Sequence, residues 1–351
     1  MIVSYIQKKE IHHERVKELL ADSISVNQFT NNGPVKRKLE SFLHGLLKID
    51  ESKKVVCVSN GTAACHALMY HYEKIAKRRL KWIVPSFTFP TPVVSNAFNT
   101  KIVDISSTTY SIDINEKLLE NFDGVILTNL FGTVTPIDEW VKYCHESNKI
   151  LIFDNASSPM TFYRNANICN FGNASFGSLH HTKFLGFGEG GFVVVPCEEY
   201  DSINRILNFG FTSQRIHDPL SSNFKMSDVT AAYCLSHVET YSVKRHREIQ
   251  KTLINEMKKI GIKVFNIDND LCDYTLGNLP LLFDQKIDPM SFRDLSVEAN
   301  KYYKPLTSHK NAKSVFSKII NLPLHEGLTD YEMEMMCKAS NEVKNFLNGK
   351  R

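Results

Sequence analysis

The sequence predicts an α/β fold, with a large, mostly parallel three-layer α/β/α domain followed by a smaller α+β domain. Short β-branched and aromatic runs alternate with helical patterns over the first two thirds of the chain, which is typical of a parallel sheet covered on both faces. The chain has 351 residues, enough for two domains of unequal size. Beyond about residue 260, strand-like and helical segments mix instead of alternating. We therefore expect a large domain over residues 1–240 and a small domain over residues 241–351.

The strands of the large domain are predicted from short apolar runs, and its helices from apolar periodicity. The predicted strands cover residues 55–58, 82–84, 101–105, 124–128, 149–153, 174–179 and 191–195. One helix is predicted to begin at Gly61, after the first strand, and another to cover 137–147. A single long helix over 227–257 is predicted to lead into the small domain, where we expect strands at 262–265 and 279–283 and helices at about 309–318 and 329–347.

Composition excludes several classes of protein. Hydrophobic residues make up 42% and charged residues 23% of the chain, as in ordinary globular proteins. The net charge of +4 comes from scattered Lys and Arg, so we expect neither nucleic acid nor a membrane surface as partner. The eight cysteines form no CxxC pair, and no run of about 18 apolar residues or cleavable leader is evident. We expect a soluble, cytoplasmic protein without structural zinc or disulfides.

Small residues between the first strand and its helix predict an anion site. The segment 59–64 contains Gly61, Thr62 and Ala63, which let a ligand approach the backbone N–H groups at the positive end of a helix. A phosphate fits such a site. An ordinary helix cap by Asn60 or Thr62 explains the same residues equally well.

A carboxylate and an amine complete the candidate site. Asp154 follows a buried strand, which would deliver it to the C-terminal edge of the sheet, although an Asx-turn there is a simpler explanation. Lys183 follows another strand and precedes glycines that allow a close turn, and Ser178 could offer a hydroxyl to a phosphate. A lysine that can form a Schiff base, together with an Asp that can hold a pyridinium nitrogen, is the minimum set for pyridoxal phosphate.

Neighbouring motifs are less specific. Phe89, in the loop 84–90, could stack on a planar ring, but a core or lid aromatic is the commoner role. The segment 186–191 satisfies GxGxxG, yet it precedes a strand instead of opening a helix, so a dinucleotide site is not expected. His180 and His181 point in different directions and have no partner at ligand spacing, so we expect no metal. His180 is a candidate substrate contact, with a structural role as the alternative.

These motifs, in this order, resemble the DegT/DnrJ/EryC1/StrS family of sugar aminotransferases, which are pyridoxal phosphate enzymes of fold type I. The resemblance covers nearly the whole chain. It is carried by residues 32–34, 59–64, 84–89, 103–105, Asp154, Lys183, 188–191, 223–228 with 231–232, 302–306 and 321–329.

The resemblance implies a role for each matching position. Lys183 would form the Schiff base and move the proton, and Asp154 would pair with the pyridinium nitrogen. Other expected cofactor contacts are Gly61, Thr62, Ala63, Phe89, Ser157, Ser178 and Asn223. Asn223 would reach the phosphate from the neighbouring subunit, so a homodimer is expected. Phe87, His180 and His325 are the expected substrate contacts.

Three positions depart from the family pattern. Ser157 stands where Gln or His usually contacts the cofactor's phenolic oxygen, so a short hydroxyl replaces an amide or imidazole. Phe131 stands where Tyr is frequent, and Lys225 where Arg is common. None of these removes a group that the chemistry requires.

The implied reaction is ping-pong transamination, in which pyridoxamine phosphate carries the amino group from L-glutamate to a nucleotide-linked keto sugar. Residues 179–183 look most like the branch that aminates C4 of dTDP-4-keto-6-deoxyglucose, and loops near 28–34 and 211–222 are expected to shape the sugar site. A GDP-linked 4-keto sugar and a dTDP-linked 3-keto sugar remain alternatives. A sugar dehydratase, in which histidine replaces the lysine, and a non-catalytic regulatory protein that binds the cofactor are the competing classes.

Overall fold

The computed structural model describes residues 2–115, 119–211 and 216–349. Its helices are α1 His13–Ser25, α2 Pro34–Leu46, α3 Gly61–Ala76, α4 Ile137–Glu146, α5 Tyr200–Ile206, α6 Asp228–Thr240, α7 Val243–Lys259, α8 Met290–Arg293, α9 Lys310–Lys318 and α10 Asp330–Leu347. Its strands are β1 Lys53–Val58, β2 Lys81–Pro85, β3 Asn99–Val103, β4 Gly124–Thr128, β5 Ile150–Asp154, β6 Phe162–Tyr163, β7 Ala166–Asn167, β8 Ala174–Ser178, β9 Gly191–Pro196, β10 Lys263–Val264, β11 Cys272–Asp273, β12 Leu279–Leu282 and β13 Ile319–Leu322.

A seven-stranded sheet forms the centre of the larger part, with the order β1-β9-β8-β5-β4-β2-β3. The pairs from β8 to β3 are parallel, whereas β9 runs antiparallel to both of its neighbours. Because β4, β5 and β8 are parallel, their C-terminal residues Thr128, Asp154 and Ser178 end at the same edge of the sheet.

Helices cover both faces of this sheet, because its strands present buried side chains in both directions. Val56 and Val58 of β1 pack with α3 and α5, while Val55 and Cys57 pack with α1, α2 and α6. On β5, Leu151 and Phe153 pack against α4. The predicted α/β class with a mostly parallel sheet is confirmed.

A second apolar cluster lies in the C-terminal part. It joins the antiparallel sheet β10-β12-β13 to α7 and α10, and it includes Val3 from the N-terminal segment. The boundary at 240/241 stays a prediction. Helix α6 packs with β1, α1 and α2, whereas α7 packs in this C-terminal cluster.

The single long helix expected over 227–257 is wrong. Tyr241 is extended, with φ −70° and ψ 124°, and the Ser242 side chain accepts a hydrogen bond from Arg245 N, so that a new helix begins there. The break lets α6 and α7 pack into different clusters. Among the described residues, no helix is long and apolar enough to cross a membrane.

Candidate active site

A cavity of about 820 Å³ opens at the edge of the sheet where β4, β5 and β8 end. Its lining combines the start of α3, the strand ends, the loop after β8 and residues of the C-terminal part. The predicted site residues that line it are Gly61, Thr62, Ala63, Phe89, Asp154, Ser157, Ser178, His180, Lys183 and Asn223. Motifs that lie up to 162 positions apart in sequence therefore meet in one site.

Asp154 is a buried carboxylate in this cavity, with 3% of its surface exposed. Its Oδ1 accepts a hydrogen bond from Ala156 N at 2.9 Å, and its Oδ2 accepts one from Thr128 Oγ1 at 3.4 Å. Burial raises the pKa of Asp154 to about 6, although these hydrogen bonds and the charge of Lys183 oppose the rise. A cationic group in the cavity would stabilise its ionised form.

Lys183 is the amine of the site. Burial lowers its pKa, and the charge of Asp154 partly offsets that effect. The turn that carries it is closed by Lys183 N donating to His180 O at 2.8 Å and Gly186 N donating to Lys183 O at 2.9 Å. The lowered pKa favours the neutral, nucleophilic amine.

Three side chains form a hydrogen-bonded row beside Asp154. Lys183 Nζ donates to Ser157 Oγ at 3.0 Å, and Ser157 Oγ lies 3.1 Å from the hydroxyl of Tyr303. The Tyr303 ring stacks on Phe131, with centroids 5.4 Å apart and planes 6° apart. Ser157, the short hydroxyl at a departing position, thus contacts both the amine and a phenol from the C-terminal part.

The beginning of α3 forms the opposite wall. Asn60 caps the helix by accepting from Ala63 N at 2.8 Å, as the simpler explanation of this motif expected. A Cβ on Gly61 would lie 3.3 Å from Ser178 Cβ, so the helix start and the end of β8 are in close contact. The positive end of a 16-residue helix and the Ser178 hydroxyl therefore face the same part of the cavity.

The aromatic, imidazole and amide groups lie at the rim. Phe89 is 55% exposed, and its ring centroid lies 6.2 Å from that of Tyr303. His180 Nδ1 pairs with Thr182 Oγ1 at 2.9 Å. Asn223 is exposed, and its Oδ1 accepts from Lys225 Nζ at 2.6 Å. These side chains are available to a ligand that enters the cavity.

Two predicted substrate contacts are not brought to this site. Phe87 is fully buried behind the lining, where its ring packs against Phe131 and Tyr303. His325 lies outside the lining, and its Nε2 pairs with Ser4 O at 3.2 Å. Phe87 is a core position because other aromatic rings surround it. His325 is buried, and the Ser4 carbonyl already occupies its Nε2. Of the loop expected to shape the sugar site, residues 212–215 lie outside the described residues.

Thr128, Tyr303 and Tyr5 also line the cavity, although sequence inspection assigned none of them a role in the site. Tyr303 lies in the segment 302–306, which is part of the family resemblance. Thr128 ends the strand next to Asp154, so its position at the C-terminal end of a parallel strand was an available signal. Tyr303 lies 146 positions from Ser157, and no local pattern indicates that pair. In the segments that the structure describes, no three His, Cys, Asp or Glu side chains group as metal ligands.

The residues present fit pyridoxal phosphate. The cavity offers an amine for an aldehyde, a buried carboxylate for a protonated ring nitrogen, and a helix N-terminus with a serine hydroxyl for a phosphate. The raised pKa of Asp154 fits this assignment, because a buried carboxylate without a cationic partner has a raised pKa and a protonated ring nitrogen would supply that partner.

Comparison with known proteins identifies a family for this chain. A family model described as the DegT/DnrJ/EryC1/StrS aminotransferase family matches residues 10–340. The dTDP-4-amino-4,6-dideoxy-D-glucose transaminase of Shigella dysenteriae is 25% identical over 347 residues, which cover 90% of this chain and 92% of that protein.

Solved structures share the fold. Helicobacter pylori PseC, an aminotransferase involved in the biosynthesis of pseudoaminic acid, superposes with a TM-score of 0.83 at 16% identity, covering 99% of this chain and 100% of its own. DesI, determined in the presence of its TDP-sugar product, gives a TM-score of 0.82 at 20% identity over 99% of this chain and 94% of its own.

Proposed function

The chain belongs to the DegT/DnrJ/EryC1/StrS aminotransferase family, and from this premise we propose that it transfers an amino group from L-glutamate to C4 of dTDP-4-keto-6-deoxyglucose. It is an aminotransferase of the sugar-modifying kind, and its cofactor is pyridoxal phosphate. The observation that carries the proposal is the convergence of Lys183, Asp154 and the start of α3 in one cavity.

Each predicted cofactor residue has a role that its position supports. Asp154 would hold the ring nitrogen, and Phe89 would cover one face of the ring. Gly61, Thr62, Ala63 and Ser178 would hold the phosphate at the positive end of α3. Lys183 would attach the aldehyde carbon through Nζ. When bound, the cofactor supplies an electron sink for the bond that is broken at the substrate carbon.

Lys183 would then act as the proton carrier. Its amine must be neutral when it takes the proton from the substrate carbon, and the lowered pKa supports that state. Ser157 accepts from Nζ and fixes where the amine points, while Tyr303 holds the Ser157 hydroxyl. The row would thus limit the positions that the amine can take when it moves the proton.

The relatives and the shape of the cavity support a sugar nucleotide as the amino acceptor. The Shigella dysenteriae relative is a dTDP-4-amino-4,6-dideoxy-D-glucose transaminase by its name, and an Escherichia coli relative of the same name is 24% identical over 354 residues. Beyond the cofactor residues, the cavity continues along Tyr5, Asn278 and Tyr302, which suit a bulky polar substrate. His180 at the rim would contact this substrate.

The two competing classes fit the site less well, whereas the alternative sugar substrates fit it equally well. A GDP-linked 4-keto sugar or a dTDP-linked 3-keto sugar would use the same residues and differs only in substrate. A dehydratase needs histidine in place of Lys183. A non-catalytic regulator would need the lysine to attach the cofactor, but not the hydrogen bonds of Ser157 and Tyr303 that position its amine.

A homodimer is part of the proposal. Asn223 would reach the phosphate of the neighbouring subunit, as the family resemblance implies. Exposed apolar side chains near it, Phe209 and Phe211, support contact with a second subunit. Exposed clusters of this kind mark association surfaces.

Absorbance of the purified protein tests the function. Added pyridoxal phosphate should give a visible band, L-glutamate should bleach it, and dTDP-4-keto-6-deoxyglucose should restore it. Lys183→Ala should bind cofactor weakly and show neither change. A band that glutamate bleaches but the keto sugar does not restore would leave the aminotransferase class standing and reject this substrate. Absence of any band would reject the role of Lys183.

A further inference from the structure

We propose that Lys9 is a positioning residue for Lys183, and that its ammonium holds the loop 181–186 in the conformation from which Lys183 projects. Lys9 Nζ donates to His181 O at 2.7 Å and to Lys183 O at 2.7 Å, and it also donates to Gly186 O. An ammonium has three N–H donors, and here three backbone carbonyls accept from it. The step from loop position to turnover rests on the proposed function.

The geometry of the loop leaves backbone carbonyls that Lys9 can bind. The turn brings its chain ends close, since His181 N donates to Gly188 O at 2.7 Å and a Cβ on Gly186 would lie 2.1 Å from His180 O. Such a turn aims several carbonyls away from any helix or strand partner. Lys9 gathers three of them, and His237 Nε2 pairs with a fourth, Phe184 O, at 2.9 Å. The loop is therefore held by side chains from outside it.

Lys9 is itself held in place by the N-terminal segment. Val3 N donates to Ser296 O at 2.9 Å, Glu298 N donates to Val3 O at 3.0 Å, and Tyr5 N donates to Glu298 Oε2 at 2.6 Å. The side chain of Tyr5 lines the cavity, four residues before Lys9. The segment thus ties the C-terminal part to the loop that carries the reactive amine.

The surroundings of Lys9 make an incidental contact a poor explanation. Burial lowers its pKa to about 8. Cys234, His181, His237 and His325 interact with its charge, and none of these four is a carboxylate. Burying a charge among such groups is unfavourable unless the carbonyls compensate it. The three hydrogen bonds provide that compensation, and they join Lys9 to the loop and to nothing else.

Lys9→Met tests the inference, with Lys8→Met as the matched control because Lys8 is adjacent and exposed. Amide hydrogen exchange of residues 181–188 would be measured in the cofactor-free protein, together with thermal unfolding. Cofactor affinity would be measured separately from the visible absorbance. We expect roughly tenfold faster exchange in the loop and roughly tenfold weaker cofactor binding for Lys9→Met, since hydrogen bonds to a charge are lost. Lys8→Met should match the wild type, and Lys9→Arg should recover much of the protection.

The outcomes separate a positioning role from a general one. Wild-type loop exchange and cofactor affinity in Lys9→Met would overturn the inference, as would faster exchange spread evenly over the chain. If Lys9→Met does not fold, Lys9→Gln, which keeps donors at a shorter reach, takes its place with the same two criteria. If the wild type gives no visible band, the proposed function fails, and hydrogen exchange in the cofactor-free protein still decides the role of Lys9.

Discussion

Burial raises the pKa of Asp154 to about 6, so the charge of its side chain changes within the pH range in which proteins are usually studied. Above about pH 6 the carboxylate is ionised and can attract a protonated ring nitrogen. Below that pH it takes up a proton and the attraction is lost. We therefore expect the affinity of the cofactor-free protein for pyridoxal phosphate to fall as pH falls through about 6, measured by absorbance titration at several pH values.

Asp154→Asn is the control for this pH dependence. It has no titrating group at that position, so its affinity should be low at every pH and should lack the step near pH 6. A step of equal size in Asp154→Asn would assign the titration to another group.

Tyr303 offers a second test at the scale of single residues. Its hydroxyl lies 3.1 Å from Ser157 Oγ, and burial raises its pKa to about 12, so it stays protonated near neutral pH. Tyr303→Phe should keep the ring on Phe131 but lose the hydrogen bond, and we expect kcat to fall by roughly fivefold, in line with a loss of about 1 kcal/mol. Steady-state kinetics would measure it.

Tyr302→Phe is the matched control for this substitution. Tyr302 also lines the cavity, but its ring lies 5.7 Å from that of Tyr303 and its hydroxyl is not part of the row with Ser157. A larger loss of kcat in Tyr302→Phe than in Tyr303→Phe would contradict the role given to the row.

The site residues that sequence could predict share a physical reason. Asp154 and Ser178 end parallel strands, and Lys183 follows one, so the sheet itself brings them together. Phe87 and Phe89 look alike in sequence, and both rings contact Tyr303, yet Phe87 is buried in a core cluster with Phe131 whereas Phe89 is exposed at the cavity. Lys9 lies 174 positions from Lys183, and no local sequence pattern indicates such a contact.

At the scale of elements, most helix ends and sheet strands were predicted closely, and the predicted helices 137–147 and 329–347 match α4 Ile137–Glu146 and α10 Asp330–Leu347 to within one residue. The sheet strands are continuous apolar runs, and the predicted 124–128 coincides with β4 Gly124–Thr128. The pattern over 227–257 continues across the break between α6 and α7, because Tyr241 is apolar enough to extend the periodicity. The Ser242 cap and the tertiary packing, which places each half in a different cluster, separate them.

His246 lies one turn into α7 and bonds to Tyr241 at that break. Its buried imidazole should make the stability of the protein depend on pH. Tyr241 donates its hydroxyl to His246 Nδ1 at 2.5 Å, and His246 Nε2 donates to Leu276 O at 2.8 Å, so the neutral ring is fully bonded. Burial lowers the pKa of His246 from 6.5 to about 4. Since the unfolded chain takes up the proton first, this stabilisation is complete above about pH 6.5 and is lost as pH falls towards 4.

The expected loss is up to about 3 kcal/mol of unfolding free energy. It follows from the shift in the pKa of His246 from 6.5 to about 4, at about 1.4 kcal/mol per pKa unit. Urea unfolding of the wild type and of His246→Gln, which keeps a donor and an acceptor without titrating, would isolate it. The difference between the two should shrink between about pH 6.5 and pH 4. His13→Gln, at an exposed position, should run parallel to the wild type; a difference that does not change with pH for His246→Gln would refute the assignment.

At the scale of the whole molecule, the position of Asn223 has two possible uses. It lines the cavity of its own chain and is also exposed beside Phe209 and Phe211, which a second subunit would cover. Sequence could place it near a phosphate by resemblance, but a single chain leaves its partner open. Its use across a subunit boundary is therefore a proposal about assembly as much as about the site.

Mixing two inactive variants decides between these uses. Lys183→Ala removes the amine and Asn223→Ala removes the amide, and each alone should have little activity. If Asn223 acts on the neighbouring subunit, a mixed dimer places both defects in one site and leaves the other intact. After subunit exchange at equal amounts, about half of the dimers are mixed, so about a quarter of wild-type activity should return. If Asn223 acts within its own chain, each site of the mixed dimer carries one defect and no activity returns, even though sedimentation shows a dimer.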